Sequence, residues 1–98
     1  MPLSNGAGVR LEYTGRAKRD LDEITEFIAR DNIVAAERLR AELDTKISLL
    51  PTRPEAYRRG RIEGTREMVV RRNYVVVYRA APDRVTVLRV LQAARQWP

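Results

Sequence analysis

The chain has 98 residues, of which 44% are hydrophobic and 33% charged, with a net charge of +6. That composition suits one globular domain with a modest core and a wet surface. It contains neither cysteine nor histidine, which excludes a disulfide framework, a thiolate or imidazole metal site, and the usual proton carrier near neutral pH.

No apolar run approaches the ~20 residues of a membrane helix, and MPLSNGAGVRLEY lacks the basic and apolar segments of a secretory signal. A cytoplasmic protein without membrane contact, metal or cofactor is therefore expected. Residues 1–8 read as a flexible leader and 9–98 as a single domain.

Val9–Tyr13 (VRLEY) alternates apolar and polar side chains and predicts a short strand. Thr14 suits a helix N-cap. Beyond it the period changes, and Ala17, Leu21, Ile24, Phe27 and Ile28 form the apolar face of a first helix. Asp31-Asn32 ends that helix and caps a second, about Ile33 to Leu50, whose stripe is Ala36, Leu39, Leu43, Ile47 and Leu50. So short a link makes the two helices an antiparallel hairpin. Pro51 stops the second helix, and PTRPEAYRRGRIEG forms a long loop to Gly64. Three strands follow: Glu67–Arg71, Tyr74–Ala80 after a turn at Arg72-Asn73, and Arg84–Leu91 after Pro82-Asp83. The predicted fold is α+β in the order β-α-α-β-β-β, with the hairpin packed on one face of a mostly antiparallel four-stranded sheet.

The charge is unevenly placed. Residues 1–50 carry eight basic groups against nine acidic, whereas residues 51–98 carry eleven arginines against Glu55, Glu63, Glu67 and Asp83. Arginine's planar fork pairs with carboxylate and phosphate and does not give up its proton, so it serves grip better than acid–base chemistry. Glu63 and Glu67 have arginine neighbours and are expected to neutralise them. In Tyr57-Arg58-Arg59-Gly60-Arg61 an aromatic ring stands beside three cations, which suits phosphate contact with stacking, docking on an acidic protein surface, or plain solvation. Arg79 and Arg89 fall inside strands. If Val77 and Arg79 share a face, and Val87 and Arg89 likewise, the sheet has a polar-lined surface that the helices leave open. Trp97 either pins the tail or is offered to a partner. No recognition helix lined with arginine or asparagine is visible, so sequence-specific DNA binding by this chain alone is not expected.

Four motifs in order carry a family resemblance: YTGRAKRDLDEITEFIARDN, then Arg58-x-Gly60-Arg61-x-x-Gly64-Thr65-Arg66-Glu67, then YVVVYR, and finally VLRVLQAARQW. Over Tyr13 to Trp97 the chain resembles the ParE branch of the RelE/ParE superfamily, the toxins of type II toxin–antitoxin systems, also called plasmid stabilisation proteins. The resemblance implies a protein that poisons DNA gyrase by binding it and stalling the cleaved-DNA complex. It also implies a hetero-oligomer with a cognate antitoxin that has a DNA-binding domain, often ribbon-helix-helix, and an acidic segment that folds along the toxin. Target contact is expected from Tyr57, Arg58, Arg61, Arg66, Arg79, Arg89, Arg95 and Trp97, and antitoxin contact from Ile24, Phe27, Ile28, Arg79 and Arg89. Two alternatives stand beside this. A RelE-type ribosome-dependent mRNA endonuclease would draw on Arg66, Tyr78 and Arg89, and a non-toxic protein of the same fold would act in transcriptional autoregulation. Two departures bear on the choice: many relatives have glycine at the place of Tyr57 and histidine at that of Gln92.

Overall fold

The computed structural model describes residues 8–92; the leader expected before Gly8, together with Arg95 and Trp97, lies outside the described residues. Strand β1 (Arg10–Tyr13) ends at Thr14, which opens helix α1 (Gly15–Ala29). The Thr14 hydroxyl accepts from the Ala17 amide at 3.0 Å, the expected N-cap, and also donates to the Leu88 carbonyl at 2.9 Å. One side chain thus starts the helix and fastens it to a distant strand. Asn32 caps α2 (Ile33–Ser48) in the same way, accepting from the Ala35 amide at 2.9 Å. Pro51 then sits in a short 3₁₀ turn, Leu50–Thr52, where its missing N–H ends the helix.

Four further strands follow: β2 (Arg58–Arg59), β3 (Arg66–Val70), β4 (Tyr74–Ala81) and β5 (Arg84–Gln92). They form one sheet with β1 in the order β1-β5-β4-β3-β2, antiparallel except where β1 runs parallel to β5. The α+β architecture is the one predicted, with one more strand. The extra strand, β2, is two residues of the long loop, held because Arg58 lies opposite Glu67 on β3. Along β4 the alternation is strict. Tyr74, Val76 and Tyr78 enter the main core under the helices with Leu39, Leu43, Ile47, Met68 and Val87. Val75 and Val77 join Leu91 and Leu88 in a second cluster on the opposite face. A strand apolar on both faces reads as an unbroken run, which is why YVVVY shows no alternation.

That second cluster corrects one expectation. The sheet face away from the helices is apolar around Val75 and Val77, and Val87 lies in the core beneath the helices. The register between β4 and β5 shifts so that Tyr78 pairs with Val87 but Val77 with Arg89, leaving Leu88 as an extra residue. Such a bulge re-aims the side chains beside it. The Arg89 guanidinium reaches α1, donating to Asp20 through Nε at 2.8 Å and Nη2 at 3.2 Å. Asp20 is only 5% exposed. It also accepts from the Val90 amide at 2.9 Å and from Arg16 Nε at 3.3 Å. Because β1 pairs with β5 only as far as Val87, this carboxylate takes over part of the strand edge where β1 leaves off.

Strands β3 and β4 join through Arg71, Arg72 and Asn73, closed by the pair Val70 and Tyr74. Both arginines are left-handed, at φ 55° and 67°, where a Cβ costs roughly 1–2 kcal/mol per residue. Arg71 is held by the Glu42 carboxylate of α2, which accepts from its Nε at 2.7 Å. That guanidinium holds the Glu42 carboxyl below the usual carboxylate range. Arg72 is exposed and has no ion pair among the described residues. Arg72→Gly should therefore raise stability by about 0.5–1 kcal/mol, relief of the left-handed cost outweighing glycine's extra chain entropy; denaturant midpoints would show it. Asp20→Ala should act in the opposite sense, by about 3 kcal/mol, because it strands the Val90 amide and the half-buried Arg89 together. A loss under 1 kcal/mol in the same titration would mean that water replaces the carboxylate.

Candidate binding surfaces

The loop after α2 is built around a second buried carboxylate. Glu67, 2% exposed, points from β3 back into the loop. Its Oε1 accepts from Arg58 Nε and Nη2 at 3.2 and 2.9 Å, and its Oε2 from the Arg61 amide at 3.0 Å. One side chain therefore fixes both β2 and the turn after it, the neutralising role expected of Glu67. Glu63 is exposed and makes no ion pair among the described residues. Close by, the Gly60 amide donates to the Thr65 carbonyl at 2.7 Å. A Cβ at Gly60 would lie 2.2 Å from Thr65 Oγ1, so this close approach admits only glycine.

Around that turn lies a cleft of about 440 Å³, lined by Arg59, Gly60, Thr65, Arg66, Glu55 and Glu63 among others. Arg66 donates through Nη1 to the Tyr57 carbonyl at 2.8 Å. Arg79, at the far end of β4, is exposed and contacts the Gly64 carbonyl at 3.4 Å. The structure thus brings Tyr57, Arg58, Arg61, Arg66 and Arg79 to one end of the sheet. It engages Arg58 with Glu67 and takes Arg89 away to Asp20 on α1. Arg59, which lines the cleft, was not singled out, although it lies within the Tyr57–Arg61 patch that was.

The three residues that nuclease chemistry would use do not converge on open space. Arg66 and Tyr78 are directly paired across β3 and β4. The Tyr78 ring is fully buried, and its hydroxyl donates to the Pro54 carbonyl at 2.5 Å. Burial pushes that hydroxyl up to about 12, with Arg66 pulling the other way. Among the described residues no group of acidic side chains is placed to hold a metal ion.

A second surface lies at the other end of β4. A groove of about 200 Å³ runs between α1 and the end of β5, lined by Glu23, Ile24, Phe27, Ile28, Tyr74 and Gln92 among others. Ile24 and Ile28 are half-buried against the core, as their stripe predicts. Phe27, placed on the same face by the sequence pattern, is 56% exposed. At 100° per residue it stands roughly 90° from the centre of the Ala17–Leu21–Ile24–Ile28 line, too far round to reach the sheet. Arg30 lies over its ring at 5.9 Å from the centroid. Ile33 and Val34, at the start of α2, are also exposed, at 63% and 55%.

The comparisons agree with this architecture. The family described as ParE toxin of type II toxin–antitoxin system, parDE, matches residues 11–97. The chain is 41% identical over 90 residues to Y4kP of Sinorhizobium fredii, a protein designated as a toxin, covering 91% of this chain and 93% of the relative. It is 36% identical over 85 residues to toxin RelE2 of Caulobacter vibrioides, covering 85% and 93%. Among solved structures it resembles the chromosomal ParDE system of Pseudomonas aeruginosa, with a TM-score of 0.78 at 18% identity over 88% of this chain and 97% of that one. A small α+β toxin of the type II class is what the fold and the sequence matches define. The chain belongs to the ParE toxin family.

The Tyr78 hydroxyl gives this core a pH signature. Its folded pKa, about 12, lies above a tyrosine's ordinary value of 10.0, so the native state holds this proton more tightly than the unfolded chain does. Its contribution is complete below pH 10 and is lost as pH rises through 12. Tyr13, pushed up first by burial and then by Asp44, adds in the same direction. Tyr78→Phe should flatten the fall in melting temperature between pH 10 and 12 without abolishing it. An unchanged slope would place the alkaline sensitivity elsewhere.

Proposed function

We propose that this toxin acts by gripping DNA gyrase and stabilising its cleaved-DNA complex, and that a cognate antitoxin neutralises it. The observation that carries the proposal is the surface around the Gly60–Thr65 turn, where Arg59 and Arg66 line a cleft with Glu55 and Glu63, and Arg61 and Arg79 stand exposed beside it. Its cations are guanidinium groups, which hold anions firmly and do not exchange protons near neutral pH. The Thr65 hydroxyl in the cleft donates to the Ile62 carbonyl, and that of Tyr78, paired with Arg66 across the sheet, is turned inward and fixed to Pro54. A surface of this kind can clamp phosphates or acidic side chains without doing chemistry. Tyr57, Arg58, Arg61, Arg66 and Arg79 are the proposed contacts, extended by Arg95 and Trp97 beyond the described residues.

The alternative of a ribosome-dependent endonuclease draws support from the similarity to toxin RelE2. It asks for a proton carrier, and its candidates Tyr78 and Arg89 are occupied by Pro54 and Asp20. The antitoxin partner is supported by the likeness to a ParDE system. We propose its contacts at Ile24, Phe27, Ile28 and Arg89 beside α1 and at Arg79 toward the other end of β4, in a hetero-oligomer whose DNA-binding domain the antitoxin supplies. No helix among the described residues is long and apolar enough to cross a membrane, and a gyrase target goes with a cytoplasmic location.

Purified toxin added to gyrase and relaxed plasmid should inhibit supercoiling and accumulate cleaved plasmid together. Arg61→Ala with Arg79→Ala, both exposed, should raise the inhibitory concentration by an order of magnitude or more while leaving the melting curve in place. Supercoiling and cleavage untouched by excess toxin, with codon-linked mRNA cuts in a translating extract, would transfer the function to the ribosome.

A further inference from the structure

The sheet face turned away from the helices carries an apolar cluster that neither helix covers. Val75, Val77 and Leu91 are only 2, 1 and 1% exposed there. Among the described residues, Leu88 is the partly buried apolar side chain packed against them, and Glu67, opposite Val77, walls one side. So few side chains standing on one sheet face do not close one another off from water. Whatever covers them has an edge. Val69, paired with Val75 on β3, is 41% exposed, so the cover lies over β4 and β5.

The chain itself leaves the sheet at this spot. Leu91 stands directly opposite Val75, and β5 ends one residue later at Gln92. Beyond the described residues come Ala93-Ala94-Arg95-Gln96-Trp97. Trp97 is five residues past Gln92, a reach of up to roughly 17 Å. Val77, opposite Arg89, is three residues back and one strand across from that end, roughly 11 Å away. A tail that doubles back therefore brings the indole ring over the cluster. Leu3 would come from the far end, because β1 enters opposite Arg84, roughly 23 Å of strand from Leu91. The groove beside α1, which Gln92 also lines, is open, at about 200 Å³.

We infer that Trp97 seats on Val75, Val77 and Leu91, closes this face of the sheet, and acts as a positioning residue that holds Arg95 beside the exposed arginines. Arg79 follows Val77 by two residues on the same face of β4, roughly 7 Å along the strand. An anchored tail thus adds its own arginine to the surface around the Gly60–Thr65 turn. A loose tail would have to be ordered on binding, at a cost in affinity. The role given to Arg95 rests on the proposed grip on gyrase; the seat of the ring does not.

Trp97 is the chain's single tryptophan, so fluorescence of the free, monomeric toxin reads the seat directly. Emission should be blue-shifted and shielded from acrylamide. Leu88→Ala should raise the quenching constant about two-fold or more, and Phe27→Ala should leave it unchanged. Trp97→Ala should lower the melting temperature by about 5 °C, a shift that a residue serving only as a target contact would not cause. Trp97→Ala and Arg95→Ala should each raise the inhibitory concentration against gyrase about 10-fold, with Trp97→Phe restoring most of the melting temperature and the inhibition. The emission of a water-exposed indole in the wild type would overturn the inference and leave the face to the leader, a second copy or a partner. So would emission that turns red on dilution from dimer to monomer. Emission that responds to Phe27→Ala and not to Leu88→Ala would put the ring in the groove beside α1 and overturn it equally. A Trp97→Ala chain that melts lower but inhibits as wild type does would overturn the positioning role. A wild-type chain without effect on gyrase would remove the proposed function, while emission and melting would still decide the seat.

Discussion

The carboxylate of Asp20 holds the helical layer to the sheet at the point where the sheet runs out of strand. Strand β1 covers the edge of β5 only to Val87, and from there onward the backbone would face the helix without a partner. An unpaired buried amide costs about 1–3 kcal/mol. Asp20 meets that need at Val90 while binding Arg89 and Arg16. Thr14 works alongside it, capping α1 and donating to Leu88. The position of α1, and with it the groove that α1 borders, follows from these two side chains.

Burying a carboxylate is expensive unless it is fully engaged, and this fold does so twice. Asp20 and Glu67 each sit inside a ring of donors, and each takes up one arginine of the second half, Asp20 binding Arg16 as well. Arg89 is spent on α1 and Arg58 on the loop. The cationic character of the second half of the chain is therefore narrower than its count of eleven arginines suggests. Of the arginines left without an ion pair among the described residues, Arg59, Arg61, Arg66 and Arg79 gather around the turn from Gly60 to Thr65, because Glu67 fixes that turn and Gly60 lets it close tightly against Thr65. Arg72 stands in the turn at the opposite end of β4. The acidic residues of the first half are split in the same manner: Asp20 is internal, while Glu23 and Glu26 are left facing solvent.

Local chemistry was legible in the sequence wherever a single period or a single cap decided the outcome. Thr14 and Asn32 are caps, Pro51 stops α2, and Leu39, Leu43 and Ile47 are core, as their spacing requires. What could not be read depends on contacts between distant residues. The bulge at Leu88 makes alternation a poor guide to Arg89, whose partner lies 69 positions away. Strand β2 exists only because Glu67 gives Arg58 something to hold. Phe27 misled through a different cause: it fits the apolar stripe loosely, and only the placement of the helix on the sheet decides that its ring faces out. Of the candidate site, the Tyr57–Arg61 patch was visible as a cluster of cations beside a ring, but its division from Arg89 was not.

A protein that acts by grip needs its contact groups held in fixed relation, since every side chain ordered on binding reduces affinity. The two buried carboxylates supply that fixity from within, so the exposed arginines start from an anchored turn. They also leave different surfaces at the two ends of β4: a largely apolar groove beside α1, and an arginine-bearing cleft around the Gly60–Thr65 turn. A single partner that must both hold this chain and cover its cationic end has to extend along it, over about 20 Å. Such extended binding is what a segment that folds on contact does well: it covers a long, chemically divided surface with little mass, and accepts a lower return per unit area for doing so.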